Sequence, residues 1–536
     1  MASSVPLMSV LERFEAADPG FIETLTKCAD AQGLRAFAER WQKDTRPWAR
    51  AQLIQYVDQP SPWTSRPVLH RRNPEHRPLW KRLFKLCDES GDHELMALFM
   101  VQTDRGANWD LQMRFSGNTC AYLRRRAWRH FRHLGFRDAS AYRETVLLAL
   151  RRYEDEDLQS GRDLLRRWGL VHILFHESPH LLSTWSRWRL GPDRALSILK
   201  PAPAFPTAWE GRWTELLDLL AEARARTVRW WAMEMVRAMP GALSAVPAET
   251  VARLLVHADE EVRTFAATLL PNCAGLSALP IATWLRLLHV QDMTVLEAVC
   301  AAMQRSISAD RLTPAQRLEL ACAASPSIAR LGLRFLREAP LAPPDRPLLL
   351  ALADAQAVGV GDEVVKLLQD QVGVDALLPC LDSTRKEVRR AAWLWYEESP
   401  LLDDPATWSR LLETPYDDVR LPMTRLLEAR LDSRGLPRTI KADDLHAVWA
   451  AVLLGIRRGS RHKLSVLRML TRMVEADPMH AAAAMRLLAV ALRSVRPPER
   501  RAGLAAVVRL VVRYPDLGAE VARAFPELRI RSMAGV

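Results

Sequence analysis

An all-helical fold built from stacked helical pairs is what this sequence predicts, on three observations. The first is a repeat. LLVHADEEVRTFAATLL (254–270), LPCLDSTRKEVRRAAWLWYEES (378–399) and LLETPYDDVRLPMTRLLEARL (411–431) share one order: an apolar helix end, a polar turn, then an acidic residue, Val and Arg opening a second apolar helix. The second is that Gly is scarce, at 22 residues, and clear runs of period two are missing, which argues against a large sheet. The third is that many of the 34 Pro fall in short loops such as APPDRP (342–347), where they punctuate repeated helix ends.

The Val-Arg pairs stand at Val262-Arg263, Val388-Arg389 and Val419-Arg420, the last two 31 residues apart and the first two 126 apart, close to four units of that length. Fainter copies fill the gap, with Val295 at 33 residues from Val262, Ile328 at 33 more, and the segment 352–370 in the next slot. A hairpin of this size cannot bury its apolar side alone and becomes stable only against its neighbours. The pattern resembles HEAT repeats over roughly 246–431. That resemblance implies a right-handed α-solenoid of stacked antiparallel helix pairs. It places Asp259, Asp382 and Asp417 in the turns, Val262, Val388 and Val419 in the core, and Arg263, Arg389 and Arg420 in a polar ladder. The family includes scaffolds, nucleic-acid binders and a few enzymes, so the resemblance speaks to architecture and leaves function open.

Around this block the chain reads in five parts. Residues 1–60 form an N-terminal cap or first repeats, with helices near 7–17, 20–43 and 47–58. Residues 61–199 are an irregular Arg- and Trp-rich helical region. Residues 200–245 hold a linker, KPAPAFPTAW with three Pro in ten residues, and a transitional repeat. The repeats follow at 246–431, and 432–536 carries degenerate helical repeats and a cap.

The net charge is +12 and the basic character is almost all arginine, with 66 Arg against nine Lys. Part of this excess, with the abundance of Ala and Leu, is what a GC-rich, bacterial-like coding bias produces. The seven Cys are scattered, without a CxxC or metal-ligand spacing, and read as free thiols in a reducing compartment. The first residues lack a basic run ahead of an apolar core, and no uncharged apolar stretch reaches eighteen residues, so a cytoplasmic protein without a membrane span is expected.

Site chemistry concentrates before residue 140. The loop 59–80 holds five Pro and carries Trp63, Arg71, Arg72 and Arg77, and it runs into a helix bearing Lys81 and Arg82. The segment TCAYLRRRAWRHFRHLG (119–135) puts Leu123, Ala127, Phe131 and Leu134 on an inward face; Arg125, Arg129 and Arg132 then share the opposite side, beside Arg124 and Trp128. Arginine forks suit phosphates and an exposed indole can stack on a splayed base, so these eleven residues are candidate contacts for nucleic acid or another anionic partner. The structural alternative is that the arginines pair with nearby acids and that Trp128 packs between helices.

His172, His176 and His180 fall at i, i+4 and i+8, but Pro179 interrupts the helix and the HExxH pattern is absent, so no metal site is expected. His93-Glu94 and His176-Glu177 lack the regular phase of the His-Glu dyads in a helical-repeat iron hydroxylase family. No nucleotide-binding glycine loop or nucleophile elbow is present, and no cofactor is implied. The leading expectation is therefore a non-enzymatic scaffold that binds a protein partner. Nucleic-acid binding through the basic N-terminal helix and loop is the alternative. An enzyme resembling the HEAT-like DNA glycosylases comes third; Asp104, Asp110 and Asp138 lie near the basic helix, with no motif to choose among them.

Overall fold

The computed structural model describes residues 5–58, 75–105, 115, 117–184, 188–239, 241, 246–404, 407, 410–411, 414–433, 446, 449–450, 453–454 and 460–528. It is an all-α protein. Among the described residues no helix is long and apolar enough to cross a membrane. Contacts divide the chain into two compact units, Met1–Met303 and Gln304–Val536.

The first unit opens with α1 (Leu7–Glu15), α2 (Phe21–Lys27), α3 (Ala31–Lys43) and α4 (Pro47–Val57). An aromatic knot of Phe14, Phe21, Phe37 and Trp41 holds them together, and the Trp41 indole N–H donates to the Ala49 carbonyl at 3.0 Å. Next come α5 (His76–Ser90) and α6 (His93–Arg105). Every residue of α6 from Leu95 to Arg105 is buried, because α4, α5, α7 (Gly117–Arg137), α8 (Ala139–Leu150) and α10 (Trp168–Phe175) all pack on it. A helix enclosed on all sides needs no polar face, and MALFMV at its centre has none.

Two segments depart from the sequence expectation. α5 begins at His76, inside the stretch expected as loop through residue 80; its apolar residues Leu79, Trp80, Leu83, Phe84 and Cys87 form a helical face buried against α3 and α6. After α9 (Gly161–Arg166) and α10, β1 (Leu181–Ser183) pairs antiparallel with β2 (Trp188–Leu190), Leu181 opposite Leu190. Pro179 before this pair and Gly191-Pro192 after it break helical continuity on both sides. The Pro-rich stretch 200–209 is stitched down as well: Ala202 N–H donates to the Leu174 carbonyl at 3.0 Å, and Arg143 donates to the Ala208 carbonyl at 3.1 Å.

Helical hairpins follow: α11 (Trp213–Glu222) with α12 (Arg226–Arg237), α13 (Ala248–Leu255) with α14 (Glu260–Leu269), and α15 (Ile281–Leu287) leading to α16 (Met293–Ser306). In the second unit come α17 (Pro314–Ala321), α18 (Pro326–Glu338), α19 (Gly361–Gln371), α20 (Leu377–Leu381), α21 (Lys386–Glu398), α22 (Asp417–Ser433), α23 (Ser460–Ala476), α24 (Ala481–Leu492), α25 (Pro497–Arg513) and α26 (Gly518–Ala524). One row of helices packs in succession, α19 on α21, α21 on α22, α22 on α23 and α23 on α25, while α24 packs on both α25 and α26. The core of this unit is continuous from Ala321 to Phe525.

Val262, Val388 and Val419 are buried at the third residue of α14, α21 and α22. Val228 occupies the same place in α12 and its neighbour Arg229 does what Arg263 and Arg389 do, within the stretch read from the sequence as a transitional repeat; its Thr-Val-Arg lacks the acidic residue of the other copies. Each arginine reaches back to carbonyls in its own hairpin turn. Arg229 donates to Ala223 O (3.1 Å) and Arg224 O (2.5 Å), Arg263 to His257 O (2.9 Å) and Ala258 O (2.8 Å), and Arg389 to Ser383 O (2.7 Å). Carbonyls at a helix end have no intrahelical donor, and a guanidinium supplies one without a change in backbone path. Two of these arginines also bridge to the next hairpin: Arg229 to Asp259 at 2.7 Å and Arg389 to Asp418 at 2.9 Å. The acid facing Arg389 is thus Asp418, next to the expected Asp417; Asp417 pairs with Arg420 in its own turn, and Asp382 lies 3.5 Å from Arg410.

Close helix approach is paid for in side-chain volume at Gly332 of α18, where an added Cβ would stand 2.1 Å from the Ala321 backbone nitrogen of α17. At Gly518 the same atom would meet nothing within 4 Å. Gly332→Ala is expected to destabilise the protein by about 1–3 kcal/mol through overpacking, and Gly518→Ala to leave it unchanged or stabilise it by up to about 1 kcal/mol. Urea midpoints of the two variants check this; equal midpoints would remove the close approach as a constraint.

Candidate functional site

The Arg-rich segment forms α7, whose inward residues Leu123, Ala127, Phe131 and Leu134 are all buried. Along the opposite side Arg125, Arg129 and Arg132 are exposed. Arg129 has no hydrogen-bond or ion-pair partner among the described residues, and the Arg132 guanidinium stands 5.7 Å from the Phe136 ring centre. Two aromatics that the sequence reading did not single out share this stripe. Phe136 is 70% exposed and Tyr122 is 42% exposed. The spacing 122, 125, 129, 132, 136 alternates steps of three and four, a period that marks one helix face and was legible in the sequence.

The other candidate residues scatter. Arg124 turns inward, 8% exposed, and donates to the Thr103 carbonyl at 3.1 Å. Trp128 is 6% exposed and stacks on His172 with centroids 4.4 Å apart, so its faces are taken up by packing. Both depart from the sequence expectation because they are enclosed, Trp128 against His172 of α10 and Arg124 against the end of α6, and an enclosed side chain cannot be presented to a ligand. Arg82 is bound by Glu39 at 2.6 Å on α3, Lys81 lies 5.3 Å from the Phe115 ring, and Arg77 is half-buried at the start of α5. Trp63, Arg71 and Arg72 lie outside the described residues.

Beneath α7 lies a buried ionic network. Asp104 is fully enclosed and accepts from the Gly169 and Leu170 amides (3.1 and 3.0 Å) and from the Tyr153 hydroxyl (2.8 Å). Its carboxylate therefore closes the N-terminus of α10, whose first amides have no helical acceptor. Burial raises the Asp104 carboxyl above its ordinary range, opposed by nearby Arg124 and by these donors. Arg105 binds Asp157 at 3.0 Å, and Arg167 donates to the Asp104 and Asp157 carbonyls at 2.7 and 2.9 Å. With both oxygens engaged and no solvent exposure, Asp104 faces no substrate. Asp138 caps α8 through the Ser140 and Ala141 amides. Asp110 lies outside the described residues.

The histidines form two clusters. His172 sits among Trp128, Trp168 and Trp188 and shares a 2.7 Å hydrogen bond with His176, which lies 3.7 Å from Glu177. Burial, with His176 and Arg132 adding repulsion, drives the His172 imidazole down to about 2. In the second cluster Asp88 bonds His130 at 3.0 Å and His130 bonds His93 at 3.1 Å, tying α5, α7 and α6 together. Among the described residues no group of three or more His, Cys, Asp or Glu is placed to hold a metal ion. The cysteines Cys28, Cys87, Cys300 and Cys380 are buried, with the Cys300 and Cys380 thiols pushed up to about 12, far from the thiolate a nucleophile requires.

No protein-family model matches this chain. No curated protein is significantly similar to it either.

Two stability predictions follow from these buried groups. Asp157→Asn removes the buried carboxylate that Arg105 binds and should cost about 3–5 kcal/mol in chemical denaturation, against under about 1 kcal/mol for Glu39→Gln at the exposed Arg82 pair. His172 stays neutral when folded but takes a proton near its ordinary value when unfolded, so the stability it contributes is present above that value and falls as the pH drops below it. His172→Phe should flatten the loss of stability between pH 6.5 and 5 by up to about 1.4 kcal/mol per pH unit. Parallel slopes for variant and parent would show that His172 is already protonated in the fold.

Proposed function

We propose that this chain is a non-enzymatic cytoplasmic scaffold that holds a protein partner on an exposed helical surface, its helix pairs stacked within each unit as a right-handed HEAT-like α-solenoid. The Arg229–Asp259 and Arg389–Asp418 bridges support the HEAT-like reading, since each joins one helical pair to the next at the recurring Arg position. These polar residues are consumed inside the stack. A partner must then be recognised elsewhere.

The observation that carries partner binding is on α25. Leu504, Val508 and Val512 recur every four residues along its outer side, with Val508 53% and Val512 75% exposed. Beside them a cavity of about 270 Å³ opens between α23 and α25, floored by Leu464, Leu467 and Ala506 and edged by Arg468, Arg472 and Arg509. On its edge Arg509 is paired with Glu475 at 2.5 Å. A contiguous apolar stripe next to a concave site is the kind of surface a monomer covers with another protein.

The test is co-purification from extracts of the native host, with nuclease treatment in parallel and a Val508→Glu/Val512→Glu variant as comparison. A defined protein that persists through nuclease and is reduced at least tenfold by the variant is the expected result. Recovery that vanishes with nuclease, or that the two glutamates leave untouched, would overturn this assignment.

A further inference from the structure

We propose that the outer face of α7 binds single-stranded nucleic acid. Tyr122, Arg125, Arg129, Arg132 and Phe136 are exposed along one stripe of this helix, and His133 is exposed beside them. At 1.5 Å per residue the two aromatic rings stand about 21 Å apart along the axis, with the three arginines between them at intervals of about 4.5–6 Å. The whole of α7 contains no acidic residue, so nothing on the helix itself neutralises the stripe.

Both rings are braced. The Tyr122 hydroxyl accepts from Arg126 at 3.0 Å, and Arg126 is in turn anchored by Asp88 at 2.5 Å. Phe136 meets Phe205 edge to face at 5.0 Å. Phe205 holds a left-handed backbone at φ 56°, a conformation that costs a bulky residue energy, and its ring lies 2.5 Å from where a Cβ on Gly135 would stand. Phe205 packs in turn on the buried Tyr142 ring at 4.9 Å, which seats the Phe136–Phe205 pair on the core at the end of the cationic stripe.

The chemistry selects among anions. Guanidinium forks bind phosphate oxygens, and exposed rings stack on bases only where the base faces are free, as they are in a single strand and are not in a duplex. An acidic protein would satisfy the arginines but offers no flat π-face to the rings. This surface belongs to the first unit and is independent of the partner surface on α25, so either assignment can fail without the other.

Fluorescence anisotropy with a labelled oligothymidine, a duplex of equal length and polyglutamate as competitor tests the proposal on the full chain. The single strand should bind more tightly than the duplex, and Phe136→Ala should weaken it about tenfold, the stacking contribution of one base. Arg129→Gln should lower the slope of log affinity against log salt by about 0.7, the release of one counterion from a single strand. Val508→Glu/Val512→Glu should leave all of this unchanged. These side chains are exposed, and thermal melts confirm that each variant is folded. Equal affinity for duplex and single strand, an unchanged Kd for Phe136→Ala, or displacement by polyglutamate at equal charge would each overturn the proposal, the last pointing to an acidic protein.

Discussion

Helix ends leave carbonyls that lack a helical donor, and at several turns among the described residues arginine is the group that closes them. Arg229, Arg263 and Arg389 do so in their own turns; Arg46 does so for Phe14 and Glu15, Arg167 for Asp104 and Asp157, and Arg385 for Gln356 and Ala357. A guanidinium presents several donors in one plane and keeps its charge at any physiological pH, so it can serve two carbonyls and a carboxylate at once, as Arg229 does. Lysine has three donors, but they radiate from one nitrogen on a flexible stem and lack this planar spread. A composition of 66 Arg against nine Lys therefore has a structural use beyond any coding bias.

This use changes how the positive charge is read. Arg124, Arg126 and Arg143 are occupied by the interior or by carboxylates, and so is Arg82 on its exposed pair. On α7 the exposed arginines are those of the outer stripe, Arg125, Arg129 and Arg132. The residue that seemed the natural stacking platform, Trp128, is enclosed with His172, while the smaller Phe136 is offered to solvent. Burial follows the position of a residue on its helix more closely than its chemical type.

The two halves of the chain solve the packing problem differently. From Arg226 onward, buried valines at equivalent helix positions and bridging Arg–Asp pairs recur within each unit. Before it, α6 is enclosed on every side, and buried ions beneath α7 fix the angles at which α8 and α10 meet it. Buried charges of this kind are costly unless each is paired and hydrogen-bonded, and Asp104, Arg105, Asp157 and Arg167 meet that condition together.

The sequence by itself determined that the chain is helical, which valines are buried, and which side of α7 is apolar, because periodicity is a property of neighbours along the chain. It also contained the stripe from Tyr122 to Phe136, although only as one of several faces a helix could expose. What the tertiary structure decided was occupancy: that Trp128 is covered by His172 of α10, that Arg124 turns to the Thr103 carbonyl of α6, and that Arg389 meets Asp418 instead of Asp417. Each depends on contacts between segments far apart in sequence, and spacing along one segment carries no record of which neighbour will arrive to cover it.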